Sequence, residues 1–451
     1  MDRRTQSDTR IVLIISIILI FSVLSFGSVE IWSSASVSVS VLTLFIFWII
    51  FRTMQEHSFQ NTDSAHGRHE KFIFIALFGL LAFIFIQTIP LPSSVIRYLS
   101  PGSYELYSFY SVERDPAMYI SLHAYKTRIE FIRILTYVIF FILVSYSIKD
   151  IATLERLLKV LIYFGFVLAV FAIIQKAAWT GKIYWLRELP HGGTPFGPFV
   201  NRNHYAGLIG MLIPLSLGLA FTRKSLERKI LFGFFSLIMA VSLFLSLSRA
   251  GIISFFGGMT IFALFLSWNR FRAKKVWALV SFVFIVFLYL IYLGIDPVID
   301  RFYETDLTGE DRFTVWAETL RALKDFYITG SGLGTFINIF PLYSSAASAS
   351  IYDHAHNDYL EFMLETGIIG TALFMLFLIA YFIYILRGSW QGRTGIIRIS
   401  IISSITTIAI HSIFDFNLHI TSNALMLSAV SGMAFALMKM RAGISREGDR
   451  E

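Results

Sequence analysis

"LFGFFSLIMAVSLFLSLSRAGIISFFGGMTIFALFLS", residues 231–267, contains a single charged side chain, Arg249. A helix crosses the roughly 30 Å hydrocarbon core of a bilayer in about 20 apolar residues. The stretch is about twice one such span. Arg249, with Gly251 close behind it, marks the place where the chain turns back. The reading is two antiparallel spans joined by a tight hairpin, and it decides the fold class: an all-α polytopic membrane protein.

The rest of the sequence agrees. Of 451 residues, 56% are hydrophobic, 16% aromatic and 15% charged, against roughly 25% charged in a soluble domain. Twelve apolar runs are candidate spans: 11–29, 35–51, 71–89, 131–148, 157–178, 204–222, 230–248, 250–268, 276–294, 359–386, 396–414 and 421–440. The first follows "MDRRTQSDTR" and lacks a small-residue cleavage site, so it reads as a retained membrane helix. The chain contains no cysteine, which excludes disulfides, thiolate catalysis and cysteine metal sites.

Lysine and arginine orient the bundle. With the N-terminus inside, the inner segments hold 24 of the 38 Lys+Arg, among them "RKSLERK" (223–229) and "RFRAKK" (270–275). Both termini are then expected in the cytoplasm, with 441–451 as a cytoplasmic tail. The outer side is richer in functional groups. Nine of the ten prolines lie there, only Pro214 falling inside a span. So do seven of the ten histidines: His123, His191, His204, His354, His356, His411 and His419. Three outer segments are long: 90–130, 176–203 and 295–358. In the last, "DRFTVWAETLRALKDF" (311–326) sets Phe313, Trp316, Leu320 and Leu323 at helical spacing, with Asp311 as N-cap. It predicts an amphipathic helix on the bundle or in the interface. "GSGLGTF" (330–336) reads as a tight turn after it, and "SSAASAS" (344–350) as a short flexible stretch.

Several chemistries are excluded or weakly supported. No P-loop occurs, and no outer D-x-D is present to hold a metal for a sugar nucleotide. "GSGLG" does not follow a strand, as a dinucleotide fingerprint must. "HAH" (354–356) lacks an obvious third zinc ligand at helical spacing. No metal, cofactor or nucleic acid is expected.

Three polar clusters and one isolated arginine remain. "NRNH" (201–204) places Arg202, Asn203 and His204 at the outer end of a span. Arg249 has no other charge near it in the sequence, which favours an external anion such as a phosphate. "HAHNDYLEFMLETGIIG" (354–370) opens a span. The helix dipole accounts for Asp358 and Glu361 but not for His354 or His356, and an imidazole beside a carboxylate sets up a general base. "HSIFDFNLHITSNAL" (411–425) holds His411 and Asp415, expected to support that cluster from behind.

Together "GPFVNRNHYAGLIGMLIPL" (197–215), "SLSRAGIISFFGG" (246–258), "RFTVWAETLRALKDFYITGSGLGTF" (312–336), "HAHNDYLEFMLETGIIG" and "HSIFDFNLHITSNAL" resemble the O-antigen ligase and polymerase superfamily of bacterial envelope glycosyltransferases. The resemblance covers about 195–425. It divides the chain into N-terminal helices (1–194) and a ligase-like region (195–440) with its periplasmic segment at 295–358. It implies a GT-C-like bundle of about twelve helices in the bacterial inner membrane, with a large periplasmic segment between the ninth and tenth. It also implies a metal-independent, inverting transfer of a glycan from undecaprenyl diphosphate to a sugar hydroxyl, with a periplasmic active site. The acceptor is lipid A–core for a ligase and a lipid-linked repeat for a polymerase. The essential residues carry over to Arg202, Arg249 and His356, with Arg312 competing for the place of Arg202. Asn203, His204, His354 and Asp358 are expected to bind substrate.

The chemistry of the residues agrees. Arginine binds phosphate oxygens bidentately and stays ionised, which suits a diphosphate leaving group. A base near the acceptor hydroxyl contributes about 10²–10⁴-fold. A transporter or flippase of lipid-linked sugars is the alternative of another class. It should carry polar or broken helices at mid-membrane, whereas polarity here gathers on one side.

Overall fold

A computed structural model describes residues 3–55, 65–110, 117–189, 192–268, 273–293, 307–344, 352–387 and 390–448. His191, the stretch 345–350 and residues 295–306 of the long outer segment lie outside the described residues. Among the described residues fifteen helices follow one another: α1 (Arg3–Leu24), α2 (Ile31–Gln55), α3 (Ala65–Ile86), α4 (Ser93–Leu99), α5 (Pro101–Tyr110), α6 (Ala124–Ser147), α7 (Ile151–Ala177), α8 (Arg202–Thr222), α9 (Leu226–Leu245), α10 (Arg249–Trp268), α11 (Ala273–Leu293), α12 (Leu307–Leu323), α13 (Asp358–Leu386), α14 (Gly392–His411) and α15 (Thr421–Gly448). A one-turn helix, Phe336–Ile339, and short 3-10 turns join them. No strand occurs among the described residues, only isolated bridges.

Each expected apolar run coincides with a helix, and the 231–267 stretch divides into α9 and α10 on either side of Ser246–Ser248. Ten helices among the described residues are long and apolar enough to cross a membrane: α2, α3, α6 to α10, α13, α14 and α15. In α1 the apolar part is the shorter Arg10–Leu24. The run at 276–294 falls in α11, whose side chains are described only in part. α15 continues to Gly448, through most of the expected tail.

α8, α14 and α15 are the most enclosed helices, while α2 and α13 are mostly exposed on their flanks. Small residues make the central contacts, as is usual where lipid removes the hydrophobic drive between helices. A Cβ on Gly251 would lie 2.6 Å from the Ala206 methyl, so α10 and α8 approach closely just below Arg249. At the opposite end Glu155 of α7 pairs with Arg223 (3.0 Å) and with Arg393.

The outer segments form a cap. Residues 90–130, read from sequence only as Tyr-rich, contain α4 and α5. Two expectations for 311–326 are revised. The helix begins at Leu307, so Asp311 lies a full turn inside it instead of capping it. Phe313 and Leu320 are exposed, and the face that packs is Val315, Thr319 and Ala322. Compact side chains on that face let α12 lie close against Phe326, Phe336 and Leu364.

Candidate active site

The platform for the site is a break in α13. Gly367 (φ 61°, ψ −166°) interrupts the helix nine residues after its start. A broken helix leaves carbonyls and N–H groups without helical partners, and these must be satisfied where they are buried. The "GSGLGTF" segment and the residues before it satisfy them. Ser331 and Gly332 donate to the carbonyls of Leu364 (3.1 Å) and Glu365 (3.0 Å), while Ile368 donates to Tyr327 (2.8 Å) and Ile369 to Ile328 (3.2 Å). The Gln87 amide donates to the carbonyls of Thr329 (2.8 Å) and Glu365 (2.9 Å). The Glu365 carboxylate accepts the Phe336 N–H (2.9 Å). The glycine-rich stretch is therefore a turn, as expected, and also the piece that closes the break.

The segment ahead of α13 is equally fixed. Asn357 caps the helix, its side chain accepting from Tyr359 N (3.1 Å) and Leu360 N (3.0 Å). Trp316 of α12 donates its indole N–H to the Ala355 carbonyl (2.9 Å). Between these anchors His356 adopts φ 50°, a left-handed conformation that is costly for a side chain with a Cβ. Its Nδ1 lies 3.3 Å from Asp415 Oδ1. Asp415 is fully buried, whereas the His356 side chain is one quarter exposed.

This corrects the expected pairing. The neighbouring carboxylate, Asp358, does not pair with His356, because it turns away with the first turn of the helix. It accepts from Leu418 N (3.1 Å) and His419 Nδ1 (3.1 Å). His354 points to Glu361, with Nδ1 2.7 Å from Oε1, and Glu361 also accepts the Ala355 N–H (2.8 Å). His419 bridges the two acids, its Nε2 lying 3.3 Å from Glu361 Oε1. The Phe416 ring sits at the centre. It stacks on His354 (4.2 Å between centroids) and meets His356 (4.9 Å) and His204 (4.8 Å) edge to face.

The arginine side joins the same end of the bundle. Arg202 and Arg249 are the first residues of α8 and α10. Asn201 caps α8 through Asn203 N (2.9 Å), and Ser248 accepts from Gly251 N (3.1 Å) at the start of α10. Ser248 donates to Asn203 Oδ1 (2.7 Å), linking the two helix starts. Asn203 thus supports the arginine-bearing ends. His204 is buried, with its carbonyl accepting from Asn423 (2.9 Å). Arg312 donates to the Phe414 carbonyl (3.2 Å), which ties α12 to the 412–419 turn. α14 ends at His411, so His411 and Asp415 do not share a helical turn. His411 is buried all the same, and among the described residues neither of its ring nitrogens has a hydrogen-bond partner.

The two carboxylate–histidine pairs differ electrostatically. Burial alone would push the Asp415 carboxyl up, but the hydrogen bond to His356 and the charges of His204, His356 and His411 hold it below the usual carboxylate range. Burial alone would lower the His419 imidazole, but Glu361 and Asp358, together with Glu365, push it up to about 10. His419 is thus an imidazolium at neutral pH, held between two acids.

Sequence reasoning missed His419 as the bridge, Phe416 as the hub, Glu365 and Gln87 at the break, and two cations. Arg133 of α6 donates to the His419 carbonyl and to Glu130 (2.7 Å). Lys176, at the end of α7, donates to the Leu245 carbonyl and lies near enough to Arg202 to feel its charge. A lysine or arginine near an apolar run could have flagged both. His354, Glu361 and His419 bring ligand atoms within 4.8 Å of one another, a two-imidazole, one-carboxylate set of the kind zinc accepts. The third ligand that "HAH" lacked in sequence is thus supplied by Glu361 and a distant turn, without His356.

Residues 234–375 match the family described as "O-Antigen ligase". No curated protein matches the chain. The matched region carries Arg249, Arg312, His354, His356 and Asp358, while Arg202, His204, His411 and Asp415 lie outside it and join it through the contacts above. Over residues 234–375 the chain is thus similar to the O-antigen ligase family, and its long apolar helices are those of a multi-pass membrane protein.

Proposed function

We propose that the protein transfers a glycan from a lipid diphosphate, of the undecaprenyl diphosphate type, to a sugar hydroxyl at the periplasmic face of the bacterial inner membrane. The acceptor is lipid A–core in a ligase reaction. The single observation behind this reading is the His356–Asp415 pair, exposed on the imidazole side and buried on the acid side, at the same end as Arg202 and Arg249. The family match supports glycosyl transfer as the reaction class.

The steps follow from the residues. With Nδ1–H donated to Asp415, Nε2 of His356 is the basic nitrogen. It takes the proton of the acceptor hydroxyl as that oxygen attacks the sugar carbon bonded to diphosphate. The carbon–oxygen bond to diphosphate breaks, and its electron pair leaves with the phosphate. Attack from the far side inverts the anomeric centre. Arg249 and Arg202 hold the departing charge through planar forks, and Arg312 keeps the Asp415 turn in place. Energy stored in the donor bond drives the transfer, and no metal is assigned a role.

The test is transfer in vitro with purified protein and a lipid-diphosphate-linked glycan. His356→Gln should lose about 10²–10⁴-fold in rate while still binding donor. Arg249→Lys keeps the charge but not the fork and should lose donor affinity as well as rate. If His356→Gln transfers at the wild-type rate, the histidine only positions substrate, and the proposed proton transfer is wrong.

A further inference from the structure

The transfer steps use His356, Asp415 and the arginines, and they leave a second group of side chains at the same end of the bundle without a part. His354, Glu361 and His419 bring ligand atoms within 4.8 Å of one another. They converge on one oxygen. Glu361 Oε1 lies 2.7 Å from His354 Nδ1 and 3.3 Å from His419 Nε2. Two distant segments supply the set, the entry to α13 and the Asn417–His419 turn ahead of α15.

Support from behind, spacing and charge separate this cluster from a simple ion pair. His419 Nδ1 lies 3.1 Å from Asp358 Oδ1. With Nδ1–H donated to that carboxylate, Nε2 is the nitrogen left to bind a metal. A carboxylate behind the imidazole is the partner that metal-ligating histidines commonly have. The Ala355 N–H (2.8 Å) occupies Glu361 Oε2, which leaves Oε1 for the metal. Phe416 stacks on His354 at 4.2 Å and fixes its ring. Ligand atoms about 2.0–2.2 Å from a tetrahedral zinc lie roughly 3.3 Å apart. The His419–Glu361 contact already has that length. Opening the His354–Glu361 hydrogen bond by about 0.6 Å gives the same separation there. Asp358 and Glu361, when ionised, balance the charge of one dication. Arg133, which donates to the His419 carbonyl, is itself paired with Glu130 (2.7 Å). The Glu361 side chain is buried, while those of His354 and His419 are 24% and 20% exposed. One side of the cluster is thus open for entry and for a further ligand.

We propose that His354, Glu361 and His419 bind one divalent transition metal of the zinc class, with water as the fourth ligand. Imidazole nitrogens suit zinc, copper or nickel over magnesium or calcium. The metal takes the place of the proton between His419 Nε2 and Glu361. It ties the entry to α13, which carries His356, to the turn that carries Asp415. His356 is not a ligand, and the metal takes no step in the transfer.

The full chain, purified through a tag without histidine and stripped with chelator, is titrated with Zn²⁺ alone. Retained metal is counted by inductively coupled plasma mass spectrometry after desalting. The wild type should retain one equivalent, and its unfolding midpoint should rise with Zn²⁺ concentration. His354→Ala, Glu361→Gln and His419→Ala should each lose that equivalent. Asp358→Asn should weaken the affinity by about 10–100-fold. His356→Ala should retain the metal, as should His123→Asn, which alters an exposed histidine. Where a ligand variant does not purify folded, Co²⁺ on the wild type decides. The intense visible bands of a four-coordinate ion are expected, and the faint bands of a six-coordinate ion would overturn the assignment. Failure of the wild type to retain an equivalent, undiminished retention in the three ligand variants, or loss in His356→Ala would overturn it as well. No readout here is glycan transfer, so the outcome stands apart from the transferase reading.

Discussion

At the residue scale, His356 was legible and its partner was not. Imidazoles beside carboxylates at the start of an apolar span marked the position. Its acid is 59 residues away, at Asp415, whereas Asp358, two residues on, faces His419 instead. Sequence proximity misled because the chain changes direction at φ 50° and then enters a helix. Phe416 could not have been found at all, since nothing in its local pattern separates it from other phenylalanines. His419 offers a prediction with a definite sign. Its pKa in the fold, about 10, lies above the ordinary value of about 6.5. The stabilisation from its charge is therefore complete below the ordinary value and is lost as pH rises through about 10. The unfolding midpoint of the detergent-solubilised protein should fall between pH 7 and pH 10. His419→Gln should unfold at lower temperature at pH 7 and lose part of that pH dependence. An unchanged midpoint in the variant at pH 7 would show that the bridge between Asp358 and Glu361 contributes nothing.

At the element scale, hydropathy placed the helices well and their interruptions poorly. "LETGIIG" reads as the inside of one long apolar helix, and Gly367 within it gives no sign of a break. "GSGLG" reads as a turn. Each is explained only by the other: a Cβ on Gly367 would overlap the Ile328 carbonyl oxygen, and one on Gly330 would overlap the Glu365 backbone. The break also preserves the argument against alternating access. Residues 367–386 are by themselves long enough to cross the core, so the buried acids Asp358, Glu361 and Glu365 precede the span instead of lying at mid-membrane. In α12 the packing was legible only in part. Of the four apolar residues at helical spacing, Trp316 and Leu323 meet the cap while Phe313 and Leu320 are exposed, and the compact residues that permit close contact gave no signal. Gly367→Ala should destabilise by at least about 1–3 kcal/mol, since its φ and ψ lie in a region essentially confined to glycine. Gly233→Ala in α9 meets nothing within 4 Å and should be neutral or stabilising, by up to about 1 kcal/mol from helix propensity. Unfolding midpoints in detergent check both. A Gly367→Ala protein as stable as wild type would mean that the break is not needed to seat 327–336.

For the whole molecule, composition alone was enough for the membrane class, because so few charges leave no other way to bury the apolar surface. Orientation is a separate matter, set by where the lysines and arginines fall. The ends expected inside hold 24 of the 38, and the candidate site gathers at the other ends. The test uses two positions whose relation does not depend on the total number of spans. Ser108 lies exposed on α5, and Ser225 lies exposed between α8 and α9. Between them stand three helices of membrane-crossing length, Ala124–Ser147, Ile151–Ala177 and Arg202–Thr222. Three crossings put the two serines on opposite faces. The chain has no cysteine of its own, so a single introduced thiol reports without background. In intact spheroplasts Ser108→Cys should react with a membrane-impermeant maleimide, and Ser225→Cys should react only after permeabilisation. Labelling of Ser225→Cys alone would invert the protein and place His356 and the arginines in the cytoplasm, away from any periplasmic acceptor. Labelling of both in intact spheroplasts would mean that one of the three helices does not cross.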